Sequence, residues 1–165
     1  NSVTSANFND TTLGVRDLAT VIMPATGSST PASPAMQNSG YTQLARKYNR
    51  EGEAVYKTGQ LEQAIQLFQQ ATELDGNYGQ AFSNLGLAYQ KNGNIAEAIW
   101  ANRKAISLAS GANAATTRAN SYYNIAKIYE TAGQNADALQ HYQLAYAEKN
   151  KPSYEEAIAR VKAKM

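Results

Sequence analysis

The sequence contains no cysteine and a single histidine, His141. The absence of cysteine excludes disulfide bonds, thiolate metal sites and a cysteine nucleophile. No serine or carboxylate stands at a spacing from His141 that is typical of a catalytic site, and the sequence has neither a glycine-rich phosphate loop nor a cluster of metal ligands. We therefore expect no catalytic residues, no metal and no cofactor, and we do not expect an enzyme.

Charge is also scarce in this sequence. Lysine and arginine total 15, aspartate and glutamate total 13, and the net charge is +2. Such a weak and scattered positive charge does not indicate nucleic acid or an anionic membrane surface as the partner. No apolar run approaches the ~20 residues that span a bilayer, so we also expect no membrane insertion.

Residues 1–40 differ in composition from the rest of the chain. They contain three of the four prolines and only three charged residues, and the stretch 25–40 is typical of a linker. Within them Val15, Leu18 and Ile22 follow helical spacing, and we expect them to pack on the end of the domain that follows or on a neighbouring molecule. Low charge and a start at Asn1 rather than methionine slightly favour an exported or periplasmic bacterial protein over a cytoplasmic one.

From residue 40 onward, apolar residues recur at helical spacing almost throughout. Glycines interrupt the pattern, Thr42 is a candidate N-cap for the first helix, and Pro152 directly precedes the last one. The pattern predicts helices at about 42–58, 61–74, 79–91, 95–109, 113–131, 135–148 and 153–164.

The glycines between paired helices recur at nearly fixed intervals. The first interval is 34 residues and the second is 40, so six residues are inserted around the stretch SGANAATTR. Small residues recur in the same phase, as antiparallel helices that cross closely require, and each separating glycine allows the positive φ that ends a helix. The aligned residues are Gly59, Gly93 and Gly133; Ala64, Ala98 and Ala138; and Ala71, Ala105 and Ala145. We expect the second of these three sets to be buried at helix crossings.

Large residues complete the pattern, which in the second repeat reads Phe82, Leu85, Gly86 and Tyr89. This pattern resembles the tetratricopeptide repeat family. The resemblance implies an all-α fold, a right-handed α-solenoid of three helix-turn-helix repeats with a C-terminal capping helix and an N-terminal extension. The implied ranges are an extension at 1–40 and a repeat domain at 41–165, with repeats at about 45–78, 79–112 and 119–152 and the capping helix at 153–165.

One residue departs from the repeat. Asn102 stands where the other two repeats have Phe68 and Tyr142. A buried asparagine needs hydrogen-bond partners. Either Asn102 has such partners, or its helix is rotated and Trp100 packs in its place.

The resemblance also implies a concave groove lined by the first helix of each repeat. We expect Asn84 and Asn124 to hold the backbone of a bound peptide, because an amide both donates and accepts, and to be solvated when the groove is empty. We expect Tyr56 and Tyr123 either to contact the partner or to be exposed. The implied groove residues are Arg46, Asn49, Arg50, Tyr56, Lys57, Gln80, Asn84, Leu87, Lys91, Asn120, Tyr123, Asn124 and Lys127, with Glu53 and Ser83 in the same phase.

These features point to a non-enzymatic protein–protein interaction scaffold that binds a peptide segment of a partner in the concave groove. Some family members hold acidic chaperone tails with a set of lysine, asparagine and arginine residues, but only Asn84 of that set is present here. Two alternatives remain open. One is a secretion or pilus/envelope assembly chaperone, and the other is a structural module that forms a homo-oligomer through its N-terminal extension or its solenoid ends.

Overall fold

The computed structural model describes residues 39–165, which form seven α-helices and one short 3-10 helix. The helices are α1 Ser39–Lys57, α2 Leu61–Leu74, α3 Gly79–Asn92, α4 Ile95–Leu108, α5 Ala114–Thr131, α6 Asn135–Glu148 and α7 Pro152–Lys162, with the 3-10 turn Gly111–Asn113 before α5. They pair in chain order, α1 with α2, α3 with α4 and α5 with α6, and each pair packs on the next. The predicted all-α solenoid is therefore confirmed. The predicted packing of Val15, Leu18 and Ile22 concerns residues outside this range.

The predicted helix boundaries lie within a few residues of those in the structure. The role given to Thr42 is wrong, since α1 already includes Ser39 and Thr42 lies within its first turn instead of capping it. The last helix begins at Pro152, one residue earlier than predicted. Proline suits this first position because its φ is already helical and its missing N–H has no partner to lose.

The same turn joins the two helices of every repeat. Gly59, Gly93 and Gly133 have φ values of 83°, 88° and 75°. In each turn the N–H of the residue after the glycine donates to a carbonyl five residues earlier, as from Asn94 to Tyr89 at 2.9 Å. This bond belongs to the Schellman motif, which satisfies a carbonyl at the helix end. The helix-ending role predicted for these glycines is confirmed.

The core lies between the two helices of each pair and continues between neighbouring pairs. Ala64, Ala98 and Ala138, all on second helices, are completely buried, as predicted. The facing first helices carry small residues because there is no room for a larger side chain. A Cβ added to Gly52 would lie 2.7 Å from the ring of Phe68. Close crossing of the two backbones thus depends on small residues on both sides.

Asn102 packs in the second repeat where the other two repeats carry aromatic rings. It is completely buried, and its Nδ2 donates to the carbonyl of Ala98 at 2.8 Å while its Oδ1 accepts from Asn124 at 3.0 Å. Trp100 is 38% exposed and forms a T-shaped pair with Phe82, at 5.8 Å between ring centroids. The first of the two expectations for Asn102 is therefore correct, and α4 is not rotated.

Helix α7 closes the C-terminal end of the array. Its residues Tyr154, Ala157 and Val161 are buried against α5 and α6. This covers the apolar side that the last repeat would otherwise expose, which is the usual role of a capping element in a solenoid. Across residues 39–165, none of the helices has the length and apolar character needed to cross a membrane.

Candidate binding groove

The first helices of the three repeats converge on one open cavity of about 310 Å³. Its walls come from α1, α3 and α5 together with the 3-10 turn before α5. The lining residues are Glu53, Gln80, Ser83, Asn84, Asn113, Thr116, Thr117 and Asn120. Five of them follow the groove phase predicted from the sequence, namely Glu53, Gln80, Ser83, Asn84 and Asn120. Of the thirteen implied groove residues, the cavity brings together Gln80, Asn84 and Asn120.

The other three lining residues were not predicted, and they come from the insertion between the second and third repeats. The 40-residue interval places the equivalent of Gly79 at Ala119, but α5 begins earlier, at Ala114. The extra turn and the 3-10 turn before it supply Thr116, Thr117 and Asn113 to one wall. The length of the insertion was the one sequence signal for these residues, because it predicts that α5 starts early. It does not predict which face of the added turn points to the cavity.

A network of amides surrounds the carboxylate of Glu53. Its Oε1 accepts hydrogen bonds from Asn49 at 3.0 Å, Gln80 at 3.4 Å and Asn84 at 2.8 Å. The Nδ2 of Asn84 also donates to Asn49 at 2.9 Å, and Asn49 is only 1% exposed. The expectation that Asn84 is solvated in the empty groove is correct only in part, because Asn84 lines the open cavity while its Nδ2 bridges α3 to α1.

Asn124 is also paired within the protein. It is 6% exposed, and its Nδ2 donates to the buried Oδ1 of Asn102. The expectation that Asn124 is solvated is therefore wrong as well. Its amide joins α5 to α4 and satisfies a polar atom in the core, which is needed because an unpaired buried amide is destabilising.

A repeated position explains why several predicted groove residues are covered. Asn49, Ser83 and Tyr123 are equivalent in the three repeats, and each contacts the next first helix along the array. Asn49 bonds to Asn84 of α3, and Ser83 bonds to the buried Ser121 of α5 at 2.9 Å. The ring of Tyr123 packs against Tyr154 of α7, with 5.0 Å between centroids. This position therefore stacks one repeat on the next.

The two tyrosines expected at the groove surface are partly buried within the protein. Tyr123 lies between the rings of Tyr142 and Tyr154. Tyr56 packs on the core of the first repeat, and the ammonium of Lys91 lies 5.0 Å from its ring centroid, within cation–π range. Of the two alternatives expected for these rings, simple exposure is wrong, and contact with a partner stays a prediction.

None of the basic residues predicted for the groove lines the cavity. Arg46, Arg50, Lys57, Lys91 and Lys127 are exposed, whereas Leu87 is half-buried. Burial raises the pKa of Tyr78, which lies at the start of α3, and the negative charge of Glu53 raises it further. The positive charges of Arg46 and Arg50 oppose this increase only in part.

The acidic residue at the far end of α5 has a different environment from Glu53. Glu130 accepts two hydrogen bonds from Arg160, both at 2.8 Å, and further bonds from Lys164 and Tyr142. The Arg160 guanidinium holds the pKa of this carboxyl well below its usual range, and Lys164 and Tyr142 add to the effect. The charge of Glu130 is thus compensated by α7 and the residues that follow it.

Two sequence models match the chain. One, described as "TPR repeat", matches residues 52–93, and the other, described as "Tetratricopeptide repeat", matches residues 77–147. Together they cover residues 52–147, which is more than half of the chain. No curated protein matches in sequence.

Solved structures share the fold at low sequence identity. The Arabidopsis OM64 TPR domain is 16% identical with a TM-score of 0.68, over 76% of this chain and 100% of that one. The first TPR of Spaghetti (RPAP3) bound to an HSP90 peptide is 16% identical with a TM-score of 0.65, over 74% and 93%. The Yersinia enterocolitica type III secretion chaperone SycD, in complex with a peptide of the translocator YopD, is 22% identical with a TM-score of 0.61, over 77% and 93%.

Proposed function

Because the chain belongs to the tetratricopeptide repeat family, we propose that it is a non-enzymatic scaffold that binds an extended peptide segment of a partner protein across α1, α3 and α5. The observation that carries this proposal is the cavity to which all three first helices contribute. Its lining of amides, hydroxyls and one carboxylate offers both donors and acceptors to a peptide backbone.

Two observations support this site, one from related folds and one from this chain. The Spaghetti domain holds an HSP90 peptide and SycD holds a YopD peptide, so arrays of this fold accommodate peptide ligands. In the present chain, the exposed Arg50 and Lys127 lie on the same helices as the cavity wall and add donors beyond it. Among the other implied groove residues, Asn49, Tyr123 and Asn124 link the first helices to their neighbours.

The test begins with affinity capture of partners from a native extract, followed by mapping of the bound segment to a synthetic peptide. Gln80→Trp places an indole in the cavity, whereas Gln66→Trp places one on an exposed site of α2. We expect Gln80→Trp to weaken peptide binding at least tenfold, a change of about 1.4 kcal/mol, and Gln66→Trp to leave it unchanged. Equal binding by both variants, with unchanged melting, would place the site elsewhere.

The same experiments separate the two alternatives. A chaperone for secretion or envelope assembly would capture one dedicated exported client and keep it soluble. A self-assembling module would capture only copies of itself, and its mass in light scattering would rise with concentration. The peptide-binding scaffold stays monomeric under those conditions and binds a separate partner through the cavity.

A further inference from the structure

We propose that the cavity receives the positively charged end of a lysine or arginine side chain from the bound segment, with Glu53 as its counter-ion. This inference rests on the proposed function and specifies the chemistry of the ligand. Three observations support it: the composition of the cavity lining, the hydrogen bonds that hold Glu53, and the lack of a compensating charge for Glu53 among residues 39–165.

The lining suits a polar group and not an apolar anchor. Of the eight lining residues, four carry side-chain amides, three carry hydroxyls, and Glu53 is the single charged one. The cavity of about 310 Å³ is open to solvent, so it has room for a long side chain with its hydration. An apolar side chain would strip water from these groups without replacing their hydrogen bonds, which is unfavourable.

Glu53 is held in a fixed position by neutral donors. Asn49, Gln80 and Asn84 all bond to the same oxygen, Oε1, and none of these three amides uses Oε2. Such bonds restrict the side chain while leaving its negative charge in place. An ammonium or guanidinium group that donates to this oriented carboxylate forms a charge-assisted bond and loses little additional conformational entropy.

Glu53 differs in this respect from the carboxylates that form salt bridges. Among residues 39–165, the salt bridges involve Glu51, Glu130 and Glu148, which pair with lysine or arginine side chains. Glu53 lies in the cavity with amides instead, and the nearby Arg46 and Arg50 are exposed and do not line it. A cationic ligand group therefore compensates the charge of Glu53 in the way that Arg160 compensates the charge of Glu130.

A peptide selection tests this without knowledge of the natural partner. A random displayed peptide library is selected in parallel on the full chain and on Glu53→Gln, whose amide oxygen still accepts from the three neighbouring amides. We expect lysine or arginine to be enriched at one position of the pool selected on the parent chain, and this enrichment to be absent for Glu53→Gln. Glu62→Gln removes the same charge at an exposed site of α2 and should keep the enrichment.

A synthetic peptide from the parent pool then gives the quantitative result. Replacing its enriched cation by norleucine should weaken binding to the parent chain at least tenfold, and should have no further effect on Glu53→Gln. Gln80→Arg, which supplies an internal guanidinium beside Glu53, should abolish the preference for a cation. Circular dichroism melting identifies any variant that has lost its fold, and Gln80→Arg and Glu53→Gln provide independent tests.

The outcomes distinguish this inference from the proposed function. If selected peptides bind in the cavity and are blocked by Gln80→Trp, but show no cation preference or bind Glu53→Gln equally well, the role of Glu53 is overturned and the peptide-binding groove stands. If cation-dependent peptides bind through Glu53 while the natural partner binds Gln80→Trp normally, the charge site stands and the groove is not the partner site. If no selected peptide is sensitive to Gln80→Trp, both are overturned.

Discussion

The side chain of Asn124 contributes to the stability of the fold because it satisfies a buried acceptor. Replacing it by alanine leaves the Oδ1 of Asn102 without this donor in the core, which destabilises by about 1–3 kcal/mol. The higher helix propensity of alanine offsets about 0.7 kcal/mol of this at most. We expect urea denaturation to show a clear loss for Asn124→Ala and almost none for Lys127→Ala, an exposed change on the same helix.

The internal hydrogen bonds of Asn84 and Asn124 limit what an alanine variant of these residues can show about the groove. A double change of Asn84 and Asn124 to alanine would lose peptide contacts and internal bonds together, so a weaker partner affinity would not by itself locate the site. If Asn124→Ala unfolds at the same urea concentration as the parent, the Asn102 acceptor is satisfied in another way and the core role of Asn124 is wrong.

The alanines at the helix crossings give a second prediction at this scale. Ala138 is completely buried on α6, whereas Ala136 on the same helix is exposed. Ala138→Leu should overpack the crossing and lower the free energy of unfolding by roughly 1–3 kcal/mol. Ala136→Leu is the matched control and should melt with the parent. Similar melting of both variants would show that the crossing adjusts freely to added volume.

At the scale of elements, α7 is fixed both by apolar packing and by the charge cluster around Glu130. Because the folded pKa of Glu130 lies below its unfolded value of about 4.3, the ionised carboxylate stabilises the fold above that pH, and the stabilisation is lost as pH falls through the folded value. Arg160 and Lys164 are about half exposed, so solvent screening keeps the contribution near 1 kcal/mol.

Glu130→Gln tests this interpretation. At pH 7 the variant should melt below the parent chain, and the difference between the two should shrink progressively as the pH is lowered below about 4.3. Glu156→Gln, an exposed change on α7, serves as the control at both pH values. A difference that stays constant with pH would mean that the variant acts through packing and not through the carboxylate charge.

Helix α5 shows how a local insertion alters the candidate site. The added turn beginning at Ala114 extends this first helix and adds Thr116 and Thr117 to the cavity lining that Glu53 and Gln80 share. In the same helix Arg118 forms a salt bridge with Glu148 at the end of α6, at 2.7 Å, which fixes the added turn against the second helix of its repeat. The insertion therefore closes one side of the cavity with a supported wall.

For the molecule as a whole, the repeat phase predicts the fold well because it rests on short-range requirements. The turn within each helix pair requires glycine, and the close crossing of its helices requires alanine. The roles of Gly93 and Ala98 can therefore be predicted from their spacing alone. The candidate site was less predictable because it depends on contacts between repeats. The covering of Tyr123 by α7, and the pairing of Asn124 with Asn102, both involve residues brought together by stacking.

The stacked architecture also predicts how a local defect spreads. Each helix pair packs mainly on its neighbours, so the stability of the array is close to a sum of repeat terms and nearest-neighbour interface terms. Val161→Ala removes buried volume between α7 and the third repeat. Hydrogen exchange should become faster in α5, α6 and α7 and stay almost unchanged in α1 and α2.

A change at the opposite end provides the matched test. Val55 of α1 packs on a core cluster that the first and second repeats share, and Val55→Ala should speed exchange in α1 and α2 while leaving α6 and α7 protected. The cavity belongs to all three repeats, so either defect should loosen one of its walls while the other wall keeps its protection. If both variants instead accelerate exchange uniformly along residues 39–165, the array unfolds as one unit, and polar links between repeats such as Ser83–Ser121 couple it more strongly than nearest-neighbour packing implies.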